Sequence, residues 1–237
     1  MSRTGRKRIA VLISGRGTNM GAIIAACMDP DFPGEVKLVI ANRPDAQGLE
    51  TARRSGIAAH AVDQKAYDSR EAHERAVLDV LEAAQPDIIC LAGYMRLLTD
   101  DFVRRFEGRM INIHPSLLPL FPGLDTHARA LAAGMRIHGC TVHYVTERMD
   151  EGPIIAQAAI AVEPGDTAEA LAGRLLRAEH RLYPHALRMV LTGEVRMVNG
   201  QAIHRRRAQP RTEDDDDAPL AAPAPQILLS PDARRNG

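Results

Sequence analysis

Neither sign of charge prevails in this sequence: thirty lysine and arginine side chains are matched by thirty aspartates and glutamates. No overall field therefore draws the chain to nucleic acid or to a membrane surface. The basic runs Arg6-Lys7-Arg8 and Arg205-Arg206-Arg207 lie at the edges of the ordered pattern and read as solvated flanks. Cysteine is scarce. Cys27, Cys90 and Cys140 are an odd set without CxxC spacing, two of them inside apolar runs, which fits reduced core thiols better than disulfides or a zinc site. Also missing are an apolar stretch of membrane-spanning length and a leader-like segment at the start. A cytoplasmic protein with no membrane partner is expected.

What is present is an ordinary globular composition, 45% apolar and 25% charged over 237 residues, enough for one α/β domain with or without an appendage. Short β-branched runs alternate with stretches of helical spacing. That alternation predicts a doubly wound, mostly parallel (mixed) sheet of about seven strands with helices on both faces. Strands are expected at 9–13, 36–40, 57–61, 87–92, 110–113, 139–145 and 154–162, and helices at 18–27, 47–54, 69–84, 127–133 and 167–190. Pro115, Pro119 and Pro122 make 115–124 a loop, since proline breaks both ladders. A short pair near Val195 and Ile203 closes the fold. The chain thus divides into a basic flank (1–7), a folded domain (8–204) and a tail (205–237) of acidic and then Ala/Pro-rich sequence, expected to be disordered.

The first strand runs into Ser14-Gly15-Arg16-Gly17-Thr18-Asn19 and then a helix. Glycines let the backbone turn tightly and approach a ligand, and the exposed N–H groups and helix dipole favour an anion. A dinucleotide fingerprint fails because its last glycine position falls on Met20, and no acid follows the second strand at Asn42. The ATP loop fails for want of Gly-Lys-Ser/Thr. Two glycines alone are equally compatible with a plain connection; the position after the first strand favours a phosphate monoester.

Asn112 and His114 lie two apart in a predicted strand, so they share a face, and they stand at its end, where open α/β sheets carry their sites. An amide donor beside an imidazole suits acyl transfer to an amine: the amide binds the developing oxyanion, and the imidazole donates to it or relays a proton. Asp150, in Arg148-Met149-Asp150-Glu151-Gly152-Pro153, offers a carboxylate that would orient and charge the imidazole. An Asn and a His flanking Pro115 are as compatible with a satisfied turn. Ser116 lacks the Gly-x-Ser-x-Gly elbow of a serine hydrolase. His138 and His143, an odd number apart, do not make a metal pair, and no metal is expected.

Taken in order, the blocks 14–19, Leu91-Ala92-Gly93-Tyr94-Met95-Arg96, 112–119, 138–143, 150–157 and Ala178-Glu179-His180 closely resemble the phosphoribosylglycinamide formyltransferases. These are folate-dependent enzymes of purine synthesis with a Rossmann-like formyltransferase fold, and the resemblance covers about residues 8–203. It implies small-molecule substrates, with 10-formyltetrahydrofolate as co-substrate and glycinamide ribonucleotide as acceptor. Gly17, Thr18 and Asn19 match the residues that hold the substrate phosphate, and Glu179 an acid on its ribose hydroxyls. Met95, Arg96, Leu97 and Leu98 match the segment against the folate pteridine, although the apolar pattern alone would place both leucines in the core. Arg70 matches a position near the folate's anionic end. Thr146, Glu147, Arg148, Met149 and Asp150 match the loop closing over the pteridine, and Asn112, His114 and Asp150 the catalytic trio, with Asn112 also against the folate. Leu120 departs from the pattern, since many relatives are basic there.

Overall fold

In the computed structural model, which describes residues 5–205, the chain opens on strand β1 (Lys7–Ile13), fully buried from Ile9 onward. A strand apolar on both sides must be covered on both sides. Helix α1 (Thr18–Cys27) leads over one face to β2 (Gly34–Ala41), and α2 (Gln47–Arg54) to the short β3 (Ala58–Ala61). The chain then crosses to the other side of β1. Helix α3 (Arg70–Ala84) leads to β4 (Ile88–Leu91), which pairs with β1, and α4 (Asp100–Arg105) leads to β5 (Met110–His114). After α5 (Thr126–Ala132) come β6 (Ile137–Tyr144), β7 (Ile154–Ala161) and the long α6 (Ala168–Leu191).

The strand order is β3-β2-β1-β4-β5-β6-β7. Pairing is parallel from β3 to β5 and antiparallel from β5 through β7, the mixed seven-stranded sheet that the alternation predicts. Two apolar clusters lie on its faces. Ile9, Val11 and Ile13 join residues of α1, α2 and α6, while Ala10 and Leu12 join residues of α3 and α4. Order reverses at β1, so the crevice beyond the ends of β1 and β4 is the topological switch point, where ligands bind in open sheets.

Two details differ from expectation. β1 begins two residues before Ile9, and Arg6 and Arg8 are not a solvated flank: Arg6 donates to the carbonyls of Cys27, Phe32 and Gly34, and Arg8 to that of Ala84. The guanidinium forks satisfy carbonyls left open at the ends of α1 and α3 and at the entry to β2. The residues near Val195 and Ile203 form the expected short pair, a hairpin of β8 (Val195–Val198) with β9 (Gln201–His204) outside the seven-stranded sheet. Helix α4 has no counterpart in the sequence reading; it is one and a half turns long, and its start is fixed by the Thr99 hydroxyl, which accepts from Phe102 N–H. Residues 206–237, which include most of the acidic tail, lie outside the described residues.

Candidate active site

The loop after β1 enters α1 through Gly17 at φ 68°, in the left-handed region, and no side chain caps the helix. A Cβ there would lie 3.2 Å from the Gly48 backbone, so glycine is required both by the turn and by the close approach. No acidic residue occupies the first turn of α1. Its free N–H groups and positive dipole end therefore face the crevice ready for an anion, beside the half-buried Thr18. Asn19 is placed differently from the phosphate donor the sequence suggests. Its amide is buried and donates to Glu179 Oε2 at 2.7 Å, while its Oδ1 is buried without a partner. Burial raises the Glu179 carboxyl above its ordinary pKa, with the Asn19 bond opposing. Arg16 is exposed and lines a depression of about 200 Å³ with Arg43 and Gln47, on the α2 side of the loop.

Beyond β4, Gly93 at φ 73° turns the chain out of the sheet. In the segment that follows, Tyr94 is buried, but Met95 and Leu97 are 66% and 55% exposed, so Leu97 is not core. Leu98 is half-buried against the second apolar cluster. Arg96 turns away to Gln64 Oε1 at 3.1 Å, and Thr99 is held by the buried carboxylate of Glu74. Arg70 is exposed at the first position of α3.

At the end of β5 the proposed trio comes together, with a fourth member. His114 Nδ1 lies 3.4 Å from Asp150 Oδ2, and its Nε2 lies 3.0 Å from the Phe121 carbonyl. Both neighbours are acceptors, so an imidazole with a proton on each nitrogen satisfies both contacts. Asn112 Nδ2 lies 3.1 Å from Nε2 of His143, its cross-strand partner on β6. His143 Nδ1 lies 2.9 Å from the Tyr144 carbonyl, which can only accept. The proton is therefore on Nδ1, and Nε2 receives a hydrogen from Asn112. Burial, against the Tyr144 bond and the Asp150 charge, lowers the His143 pKa and keeps that lone pair available. His143 Nε2 is also 4.0 Å from Asp150 Oδ1. In the sequence, spacing presents His143 only as an unfit metal ligand; the β5–β6 pairing reveals its place.

Asp150 sits at φ 59°, a strained position for a non-glycine residue, and accepts from Gly123 N–H at 2.8 Å. That bond ties the β6–β7 connection to the proline-rich loop 115–125. The loop is itself pinned by Thr141, which donates to Ser116 O and accepts from Leu118 N–H, and by Gln157, which donates to Leu118 O. Of the connection, Thr146 is half-buried and bonded to Arg148 O, Glu147 pairs with Arg104, and Met149 is 56% exposed near Gly123. Among the described residues, no cluster of three or more His, Cys, Asp or Glu could hold a metal ion, and no helix is long and apolar enough to cross a membrane.

Comparison with known proteins adds independent findings. The formyl transferase family model matches residues 7–187. Phosphoribosylglycinamide formyltransferase of Escherichia coli K12 is 45% identical over 189 residues, 80% of this chain and 89% of that protein. The crystal structure of phosphoribosylglycinamide formyltransferase from Brucella melitensis is 56% identical, with a TM-score of 0.76 over 82% of this chain and 99% of that one. The trifunctional purine biosynthetic protein adenosine-3 of Gallus gallus is 46% identical over 82% of this chain, which spans only 19% of that protein's length.

Proposed function

This chain belongs to the formyl transferase family, and from that premise we propose that it transfers the formyl group of 10-formyltetrahydrofolate to the amine of glycinamide ribonucleotide in purine synthesis. The observation that carries the reading is the linked set Asn112, His143, Asp150 and His114 at the sheet's C-terminal edge, beside an uncapped helix start suited to a phosphate. A dinucleotide module shares the helix start but needs no such linked set, and a formyl-folate hydrolase needs no phosphate loop. Residues 8–204 form the catalytic unit, acting on small molecules in the cytoplasm without metal, nucleic acid or membrane.

Gly17 and Thr18 take the phosphate on α1's free N–H groups, with Asn19 contributing its backbone and holding Glu179 toward the ribose hydroxyls. Residues 95–98 and 146–150 flank the folate ring system, and Arg70 reaches its anionic end. The neutral amine attacks the formyl carbon; a C–N bond forms as the carbonyl electron pair moves onto oxygen. Asn112, whose other amide hydrogen is turned to His143, donates its free one to that oxygen. His114 exchanges the Phe121 carbonyl for the reacting oxygen. Asp150 orients the imidazole through Nδ1 and offers Oδ1 to a relay water. Collapse breaks the bond to the folate nitrogen, which gains the proton that the amine loses.

Purified wild type is expected to form formylglycinamide ribonucleotide and tetrahydrofolate in equal amounts without free formate. His114→Ala should lower turnover by roughly 10²–10⁴-fold. Full activity in that variant would remove the mechanism, and formate release in place of product would turn the assignment to a hydrolase.

A further inference from the structure

Two loops that this reaction must hold in one frame meet at a single hydroxyl. Ser14 is the first residue after β1 and is 7% exposed. Its N–H donates to the Gly93 carbonyl at 3.1 Å, and its Oγ accepts from the Met95 N–H at 2.7 Å. One residue thus opens the anion loop and grips the segment after β4 at two points, across the β1–β4 switch point.

The second bond carries the argument. Once Gly93 has turned the chain out of the sheet, the Met95 N–H has no ladder partner, and Ser14 Oγ supplies the acceptor. The segment's other holds, Arg96 on Gln64 and Thr99 on Glu74, come from the side of α3 and lie further along the chain. Without Oγ the stretch between Gly93 and Arg96 would keep its ends and the packing of Tyr94 in the second apolar cluster, but no hydrogen bond at Met95. Alanine fits the space and keeps the backbone bond to Gly93, so it removes that one acceptor and leaves the anion loop intact.

We propose that Ser14 is a positioning residue for the folate, its hydroxyl oxygen setting where Met95, and with it residues 95–98, meets the pteridine. The inference rests on the reading of 95–98 as the folate segment, which its test must separate from the role of Ser14. Ser14→Ala and Ser14→Cys, the second alike in branching but larger and a poor acceptor, are compared with wild type. The measurements are steady-state kinetics in both substrates, amide hydrogen exchange at Met95 and Ala92, and thermal melting. Leu98→Asp serves as the control for the segment.

Both Ser14 variants should raise KM for 10-formyltetrahydrofolate about five- to twentyfold, with kcat and KM for glycinamide ribonucleotide within about twofold. The Met95 amide should lose protection while Ala92, bonded to the Leu12 carbonyl, keeps it. An unchanged folate KM in a folded Ser14→Ala overturns the proposal, and so does an equal rise in both KM values, which would mark general loosening of the crevice. If Leu98→Asp impairs folate binding while Ser14→Ala does not, the folate reading stands and only the role of Ser14 falls. If Leu98→Asp leaves folate binding unchanged, both fall.

Discussion

Replacing His143 by phenylalanine keeps a ring in its buried slot but removes the lone pair to which Asn112 donates. The amide would then be free to flip its oxygen toward the substrate. With an oxyanion donor lost, kcat should drop roughly 10- to 100-fold while KM for both substrates changes little; a proportionate rise in KM instead would assign His143 to binding. In the proposed mechanism Asp150 acts through His114, 3.4 Å away. Asp150→Asn is accordingly expected to lower kcat about 100-fold with KM within about threefold, and a pure affinity loss would count against its role. Glu179 presents the opposite balance. Its folded pKa is raised, so its contribution to stability is full below the unfolded carboxyl pKa and is lost as pH rises through the folded value. At neutral pH, Glu179→Gln should therefore melt higher than wild type, by roughly 2–4 °C for each kcal/mol recovered, while KM for glycinamide ribonucleotide rises about tenfold. A lower melting temperature would show that the charged carboxylate stabilises the free protein.

Among the elements, the turn from β6 to β7 bears the strongest steric demand in the site. A Cβ on Gly152 would lie 1.7 Å from the Tyr144 carbonyl oxygen, so Gly152→Ala must displace the turn that carries Asp150. A loss of about 3 kcal/mol in denaturant unfolding is expected, with activity falling in parallel; wild-type stability and turnover would refute the packing argument. This turn also marks where sequence reading stops. β1, β4 and β5 are legible as apolar runs, and α1 and α2 as segments bounded by Gly17 and Gly56. Asn112 and His114 are placed by the period of two. Their link to His143 is not, because it depends on register between strands 31 residues apart, which neither strand encodes alone. Leu97 misleads for a related reason: exposure in a loop cannot be separated from burial by hydrophobicity. Asp150 reaches the trio through family resemblance, since a residue at φ 59° in a turn has no periodicity to read.

The molecule as a whole carries many buried imidazoles. Burial is the largest cause lowering the pKa of His73, His127, His138, His143 and His180, and His138, beside His127, falls to about 4. For each, the unfolded chain takes up its proton first as pH falls. Their stabilisation is thus complete above the ordinary histidine pKa and is lost as acid carries the pH down through the folded values. The urea midpoint should decline steadily from about pH 6.5 toward pH 4, and a flat profile over that window would contradict the burial argument. Glu179 tilts the curve the other way, so the most stable pH reflects both. The thiols add nothing in this range, since burial pushes Cys27 up to about 11 and Cys90 and Cys140 higher still.

The hydrogen bond from Asn19 to Glu179 joins residues 160 positions apart. During synthesis at about 5–20 residues per second, Asn19 leaves the ribosome roughly 8–30 s before the acid it bonds. On the assignment proposed above, the nascent chain lacks its ribose contact through that interval. Recognition of the whole nucleotide thus becomes possible only when α6 emerges, among the last elements of the domain to be made.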